Sequence, residues 1–409
     1  MKSINRTSSE RGAVSLFVVI FAMLIITVIT ISFLRLMISD QNQASNASLA
    51  EGARNSAMAG VEDAKRALLR YTQYCQANSE ADCAALEQQL TTDVCNEVVR
   101  VGNVIGSGDV SGGTATQPGE ILVQQSVNED DTLLDQAYTC VTMKLDTDDY
   151  LGSIAPNMTQ LVPLIGVADY DRVTVEWFSR DDISSSDPEA TVDLLNDTPT
   201  NKRMFDSWPT SRPPVMGAQM MQVGESFTLE SFDTTTPSGQ SNTNTVFLYP
   251  TSNGVQTPQA FTARDPRKTT TDSESPAASA NSEPLGIRCQ ATLSAGGYAC
   301  KATLVLPEPV GGGDDRTAYL RLTSYYGAAH FRVTMQNGGS SSLVQFKAVQ
   351  PKIDSTGRAS DVFKRIETRV DMYNTGLAYP DAAVDLRGGD FCKDFGVTDT
   401  EFLEGACTP

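Results

Sequence analysis

The chain has 409 residues and a formal net charge of −19, from 50 acidic against 31 basic side chains. A surface this acidic repels nucleic acid, whose affinity rests on neutralising phosphates, so no nucleic-acid partner is expected. With 40% hydrophobic and 20% charged residues the composition is globular, and the length suffices for one large core or two ordinary ones.

Residues 13–38 read AVSLFVVIFAMLIITVITISFLRLMI, and no charge falls between 13 and 34. These 22 residues make a helix of about 33 Å, enough for a bilayer core of about 30 Å. Ser15, Thr27, Thr30 and Ser32 are the polar side chains, and a helix can back-bond each hydroxyl to its own carbonyls. A helix apolar on every face belongs in lipid or in a large core. Lys2, Arg6 and Arg11 precede the span with one acid, Glu10, so the N-terminus is expected in the cytoplasm and the rest outside. A secretory signal peptide would have a shorter apolar core closed by a small-x-small cleavage site. No such site closes this one, and the span reads as a retained anchor.

The first proline is Pro118, and between residues 13 and 74 only Gly52 and Gly60 interrupt the helical character. One helix of 62 residues, about 93 Å long, is expected. Leu49, Ala53, Ala57, Val61, Ala64, Leu68 and Tyr71 recur at steps of three and four, an amphipathic stripe suited to packing on a globular head. Glu62 lies four residues before Arg66, a supportive pair. Residues 79–99 read as a second, shorter helix.

The leader ending in Glu10-Arg11-Gly12, directly before an apolar helix, resembles that of type IV pilins. Residues 57–64, AMAGVEDA, are similar to the A-E-A-G-[LV]-E-x-A signature of minor pilins of the PilX kind. The two motifs lie within roughly the first 70 residues. The resemblance implies that prepilin peptidase cuts between Gly12 and Ala13 and that Ala13 is open to N-methylation. It implies a head displayed outside, with membrane lipid and other pilin-like subunits as partners of the helix. Ala57, Gly60, Val61 and Ala64 are the small and apolar positions expected to serve helix packing and assembly. Most pilins carry Glu as the fifth mature residue, neutralising a neighbour's amine in lipid; here that position is Phe17. The departure favours a minor or tip role over the filament body.

Eight cysteines on the outer side of a membrane suggest disulfides. Proximity favours Cys289–Cys300 across a hairpin and Cys392–Cys407 near the C-terminus. The latter resembles the C-terminal disulfide loop of pilins. Cys75–Cys83 with Cys95–Cys140 is one pairing of the other four, which the sequence leaves open. A zinc site is disfavoured, because no C-x₂-C pair occurs and His330 is the single histidine. No metal or other cofactor is expected.

Residues 107–119 are Gly-, Ser- and Thr-rich and read as a loop. The glycines at 102, 106 and 108 lack the lysine and the strand–turn–helix setting of a phosphate loop. Strands are expected at 121–127, 138–145 and 172–179, the last placing Val173, Val175 and Trp177 on one buried face. Residues 146–149, DTDD, lack the glycine and closing glutamate of a calcium loop and read as an acidic turn. Further strands are expected at 225–232 and 245–249. Residues 251–284, rich in Thr, Ser, Pro and Ala, bury too little to offset their ordering entropy and read as mobile. Two hairpins are expected after them, 286–293 with 298–306 around residues 295–297, and 318–326 with 330–336 around Gly327. Strands 344–350 and 363–372 follow, and many short strands argue a sandwich. In 363–372, Ile366, Thr368, Val370 and Met372 are expected on the dry face.

No catalytic constellation stands out. His330 alternates with Phe331, Val333 and Met335 and reads as an isolated surface histidine. Asp181-Asp182 and Asp314-Asp315 read as solvated turns. The expected fold is α+β: a long N-terminal helix carrying a large disulfide-bonded, sandwich-like head. The expected segments are a leader (1–12), a transmembrane helix (13–38) and its amphipathic continuation (39–74). The head follows as a first part (75–185), an irregular tract (186–285) and a β-rich C-terminal part (286–409). The expected function is a minor pilin or pilus-assembly component, not an enzyme. The rivals are a surface binding protein on an uncut signal anchor and, remotely, a glycan-active enzyme outside the membrane.

Overall fold

A computed structural model describes residues 11–77, 79–91, 95, 120–124, 136–183, 189–196, 208–223, 245–256, 258–260, 285–294, 296–310, 317–338 and 342–373. Helix α1 (Arg11–Ala77) has 67 residues, about 100 Å at 1.5 Å each. Helix α2 (Glu80–Leu90) starts at Ser79, whose hydroxyl accepts from the Asp82 N–H and donates to the Asp82 carboxylate at 2.7 Å. It ends earlier than the 79–99 expected: Thr91 is extended, and its N–H closes the last turn on Glu87 O at 2.9 Å. Two β-branched residues, Thr91 and Thr92, weaken helix propagation there. The Cys75–Cys83 disulfide ties the two helices together.

The strands in chain order begin with β1 (Ile121–Gln124), β2 (Gln136–Lys144), β3 (Tyr150–Ile154), β4 (Thr159–Leu164), β5 (Tyr170–Ser179) and β6 (Ala190–Thr191). There follow β7 (Val215–Val223), β8 (Thr245–Thr251), β9 (Gln259–Ala260), β10 (Leu285–Arg288), β11 (Thr292–Leu293) and β12 (Tyr298–Val310). The last are β13 (Thr317–Tyr325), β14 (Ala329–Gln336), β15 (Leu343–Val344), β16 (Lys352–Ala359) and β17 (Val362–Arg369). The expected strand 225–232, Asp314-Asp315, residues 102–108 and the Cys392–Cys407 loop lie outside the described residues.

Two cores organise these strands. A base sheet, order β1-β2-β16-β17 and antiparallel throughout, lies on the second half of α1. Its core joins Val61, Ala64, Leu68 and Tyr71 of α1 and Leu86 and Leu90 of α2 to Tyr138, Val141, Met143 and Ile353 of the sheet. The Cys95–Cys140 disulfide fastens residue 95 to β2. Ile366, Val370 and Met372 pack on this core as expected, partly buried.

Described strands between β2 and β16 build a second core. A six-stranded sheet runs β15-β14-β5-β12-β9, with β3 also on β14; a five-stranded sheet runs β10-β8-β7-β13-β4. The pairs β8–β10 and β9–β12 are parallel, and the other ladders in these sheets are antiparallel. Alternate side chains of both sheets meet in one apolar interior, among them Val173, Val175, Trp177 and Phe331 from one and Met216, Met220, Leu320 and Leu322 from the other. Trp177 is fully buried and donates its indole N–H to Pro214 O at 3.0 Å.

Both expected hairpins open out. β13 is paired on both sides, by β7 and β4, which leaves no edge for β14. The turn at Gly327 therefore carries the chain from one sheet to the other, and Tyr326 adopts φ 75° there. β12 likewise has its edges filled by β5 and β9. Around residues 295–297 the chain keeps the Cys289–Cys300 bridge, the bond from Gln290 N to Ala299 O at 2.8 Å and the turn bond from Gly297 N to Ser294 O at 3.4 Å. Of the tract expected to be mobile, residues 251–256 are pinned: Ser252 N bonds Leu195 O at 2.9 Å and Val255 N bonds Gly286 O at 2.8 Å. Residues 261–284 of that tract are outside the described residues.

The sandwich joins the base through a narrow neck. Thr147 and Phe346 exchange backbone bonds of 3.2 and 2.8 Å where the chain leaves and returns. Gln350, 5% exposed, bonds both backbone groups of Leu151 at 2.9 and 2.8 Å and Asp371 at 2.8 Å. Arg369 forks onto the carbonyl and carboxylate of Asp149 at 2.8 and 2.7 Å.

Candidate functional site

The candidate site is α1, which has two unlike halves. Residues 17–48 are exposed or nearly so, and an 18-residue window of this helix reaches a mean hydropathy of 2.9 with none of it buried. Phe17, Phe21, Ile26, Ile29, Phe33 and Leu36 are each more than half exposed. Thr27, Thr30 and Ser32 donate their hydroxyls to Met23 O, Ile26 O and Val28 O, so the stretch offers almost no unmet polar group. This is a helix long and apolar enough to cross a bilayer, and the disulfides suit a head outside the cytoplasm. Gly12 and Ala13 lie in its first turn. Residues 1–10 of the leader are outside the described residues.

The second half is a docking face. Ala53, Ala57, Val61, Ala64, Leu68 and Tyr71 are all buried, following the periodicity of the sequence. Gly60 is buried as well: a Cβ there would lie 2.4 Å from the Ser355 hydroxyl, so the missing side chain is filled by the sheet. Gly357 of β16 presses still closer. A Cβ on it would stand 2.2 Å from both Ala53 O and Ala57 N. Helix and strand backbones thus touch with nothing between them, which only small residues allow. The expected packing residues Ala57, Gly60, Val61 and Ala64 meet the sheet of their own molecule, while Phe17 stands 72% exposed.

Polar groups fix the register of this contact. Tyr138 OH donates to Asp63 at 2.8 Å, and Ser56 donates back to Gly52 O at 3.0 Å. The expected Glu62–Arg66 pair is replaced by two pairs one residue closer, Lys65–Glu62 at 2.7 Å and Arg66–Asp63 at 3.1 Å. Asp63 accepts from both Arg66 and Tyr138, and this draws Arg66 from Glu62. Sequence reading missed Asp63, Ser355 and Gly357. Asp63 sits within the very motif that marks the helix, but its partner is 75 residues away.

At the outer end of α1 a carboxyl cluster seals the join with α2. Tyr71 OH approaches Glu87 at 3.5 Å, and Ala348 N donates to Asp146 at 3.0 Å. Burial, with the Glu87 and Asp146 charges added, pushes the Tyr71 phenol up to about 12. Burial and the neighbouring Asp146 raise Glu87 above the ordinary carboxyl range, against a smaller opposing pull from Lys347.

His330 is exposed, as expected, but not isolated. Its Nδ1 lies 2.7 Å from Asp182, which also accepts its backbone N–H. Asp182 is not a solvated turn residue either: its side chain is 5% exposed and caps the 3-10 turn Arg180–Asp182 by accepting from Ser179 N at 2.7 Å. The acidic run 146–149 is spent on structure, with Asp148 bonded to Gln345 and Asp149 to Arg369. Among the described residues no group of three or more His, Cys, Asp or Glu is placed to hold a metal ion. No protein family, curated protein or solved structure matches the chain.

Proposed function

We propose that the chain is a minor pilin or pilus-assembly component of the type IV kind, held in the membrane by α1 until it joins a filament. The single observation that supports this reading best is the division of α1. One half is bare and apolar, and the other is clamped by Gly60 and Gly357 to a disulfide-bonded sheet. A subunit with that design can exchange lipid for sister helices without disturbing its head, because the apolar half carries none of the head's core.

On this reading prepilin peptidase removes residues 1–12 and leaves Ala13 as the mature N-terminus. The head then lies outside the cytoplasm and serves adhesion or the start of assembly. The partners are membrane lipid and other pilin-like subunits. Phe17, in place of the usual acid, fits a subunit that does not propagate the filament body.

N-terminal sequencing of the protein purified from membranes tests the proposal. A chain starting at Ala13, crosslinked through residues 17–38 to other pilin-type helices, supports it. An intact Met1 with no such crosslink makes the chain an uncut, signal-anchored surface protein instead.

A further inference from the structure

We propose that the inserted sandwich carries a binding cleft for a carboxylated sugar. The cleft, of 560 Å³, opens beside the Cys289–Cys300 disulfide, on the solvent side of β5 and β12. That volume lies within the range of about 300–1,000 Å³ usual for small-molecule sites.

Its charged lining groups are two cations, Arg288 and Lys301, and one carboxylate, Glu176. The ladders place Glu176 of β5 between Lys301 of β12 and Arg332 of β14. Lys301 lies 3.6 Å from Glu176, and Arg332 forks onto the same carboxylate. The negative charge at the base is therefore already answered by two cations. Arg288 is the second lining cation, exposed and in no ion pair among the described residues. On a protein of net charge −19 this local excess of cations selects an anion.

The other lining groups select what carries the anion. Gln256 and Gln290 supply amides, and Ser252 and Thr303 supply hydroxyls. Tyr298 supplies a half-buried ring with Arg332 over it at 5.3 Å. Burial pushes its phenol above the ordinary value, and its hydroxyl can donate or accept. A bare anion would need none of these. A ring of carbon with a hydroxyl-rich edge and one carboxylate would use all of them: cations for the carboxylate, amides for hydroxyls, the aromatic for the apolar ring face.

The walls are fixed before any ligand arrives. The disulfide joins the segment after β10 to the start of β12. The strap 252–256 is held on β10 by Val255 N to Gly286 O, 2.8 Å, and by Arg288 N to Val255 O, 3.1 Å. Gly254 lets the strap lie flat on β10: a Cβ there would stand 2.4 Å from Gly286 O. Little ordering entropy is then left to oppose binding.

The proposal concerns the sandwich alone and does not require α1 to enter a filament. Its test is titration calorimetry on the detergent-solubilised full chain. The probes are glucuronate, galacturonate and N-acetylneuraminate, with glucose, galactose and acetate as controls. At least one acid sugar should bind about tenfold or more tightly than its neutral counterpart and acetate. Arg288→Gln, an exposed change, should weaken that binding about tenfold, and Lys301→Gln should act in the same direction. Tyr298→Phe keeps the ring and should cost less than either. Failure of all three acid sugars to bind overturns the proposal. So does equal binding of acetate or the neutral sugars, or full affinity in Arg288→Gln. None of these outcomes bears on where the mature chain begins.

Discussion

Gly357 has no side chain because the helix backbone occupies the place of one. A methyl group at 2.2 Å from Ala53 O and Ala57 N has no flexible neighbour to displace. Gly357→Ala should therefore cost about 3 kcal/mol, the upper end for overpacking, read from denaturant melts in detergent. Gly296 makes the contrast: it holds φ 82° with nothing within 4 Å of a Cβ. There alanine should cost only the backbone strain, about 1 kcal/mol. Glu87 gives a test in pH. Its folded pKa is raised above the ordinary carboxyl value of 4.5, so the folded state binds this proton more tightly than the unfolded state. The resulting stabilisation is complete below 4.5 and is lost as pH rises from there through the raised value. Glu87→Gln keeps the neutral form at every pH. Its melting temperature should exceed the parent's at pH 7, and the gap should close at pH 4. Phe17→Glu belongs to the pilin proposal. It should raise the share of this subunit in purified filaments, and unchanged incorporation would count against the reading of Phe17.

Among elements, α1 is where sequence and structure agree most closely. The stripe from Ala53 to Tyr71 could be read off the chain because helix periodicity is a local property. Leu68 and Leu69 test it side by side, the first fully buried and the second 61% exposed. Leu68→Ala should cost about 3 kcal/mol and Leu69→Ala less than about 0.5 kcal/mol in the same melt. Several strands were legible as strands for the same local reason, with Val173, Val175 and Trp177 on the buried face of β5, but β3, β4, β7 and β16 were not expected and 344–350 forms only the short β15. The pairing of the strands was not legible. Two glycine turns looked like hairpins because only the turn is local. Whether the flanking strands ladder depends on which edges distant strands have already filled.

At the scale of the whole molecule, the sandwich is an insertion between two neighbouring strands of the base. Lys144 at the end of β2 is paired with Lys352 at the start of β16, and between them the chain builds a separate core. Replacing residues 146–350 by an Asn-Gly turn should convert β2 and β16 into a hairpin. The shortened protein should keep the Cys95–Cys140 disulfide and protected amides in β2 and β16 by hydrogen exchange. Loss of that protection would show that the base depends on the insertion. The base packs on the second half of α1 while the insertion closes a core of its own.

The sequence by itself determined the apolar span, the amphipathic half that follows it, and the presence of many short strands. Each is written in the spacing of side chains along a few turns or a few residues. It also favoured Cys289–Cys300 by proximity alone. Tertiary structure alone decided that the head is nested rather than serial, and that Gly357 meets Ala53 some 300 residues away. It alone gathered Glu176, Arg288 and Lys301 around one cleft, with Arg332 paired to Glu176 beside it. Those facts depend on which edges and faces come together when two cores close, and no local pattern of residues records that choice.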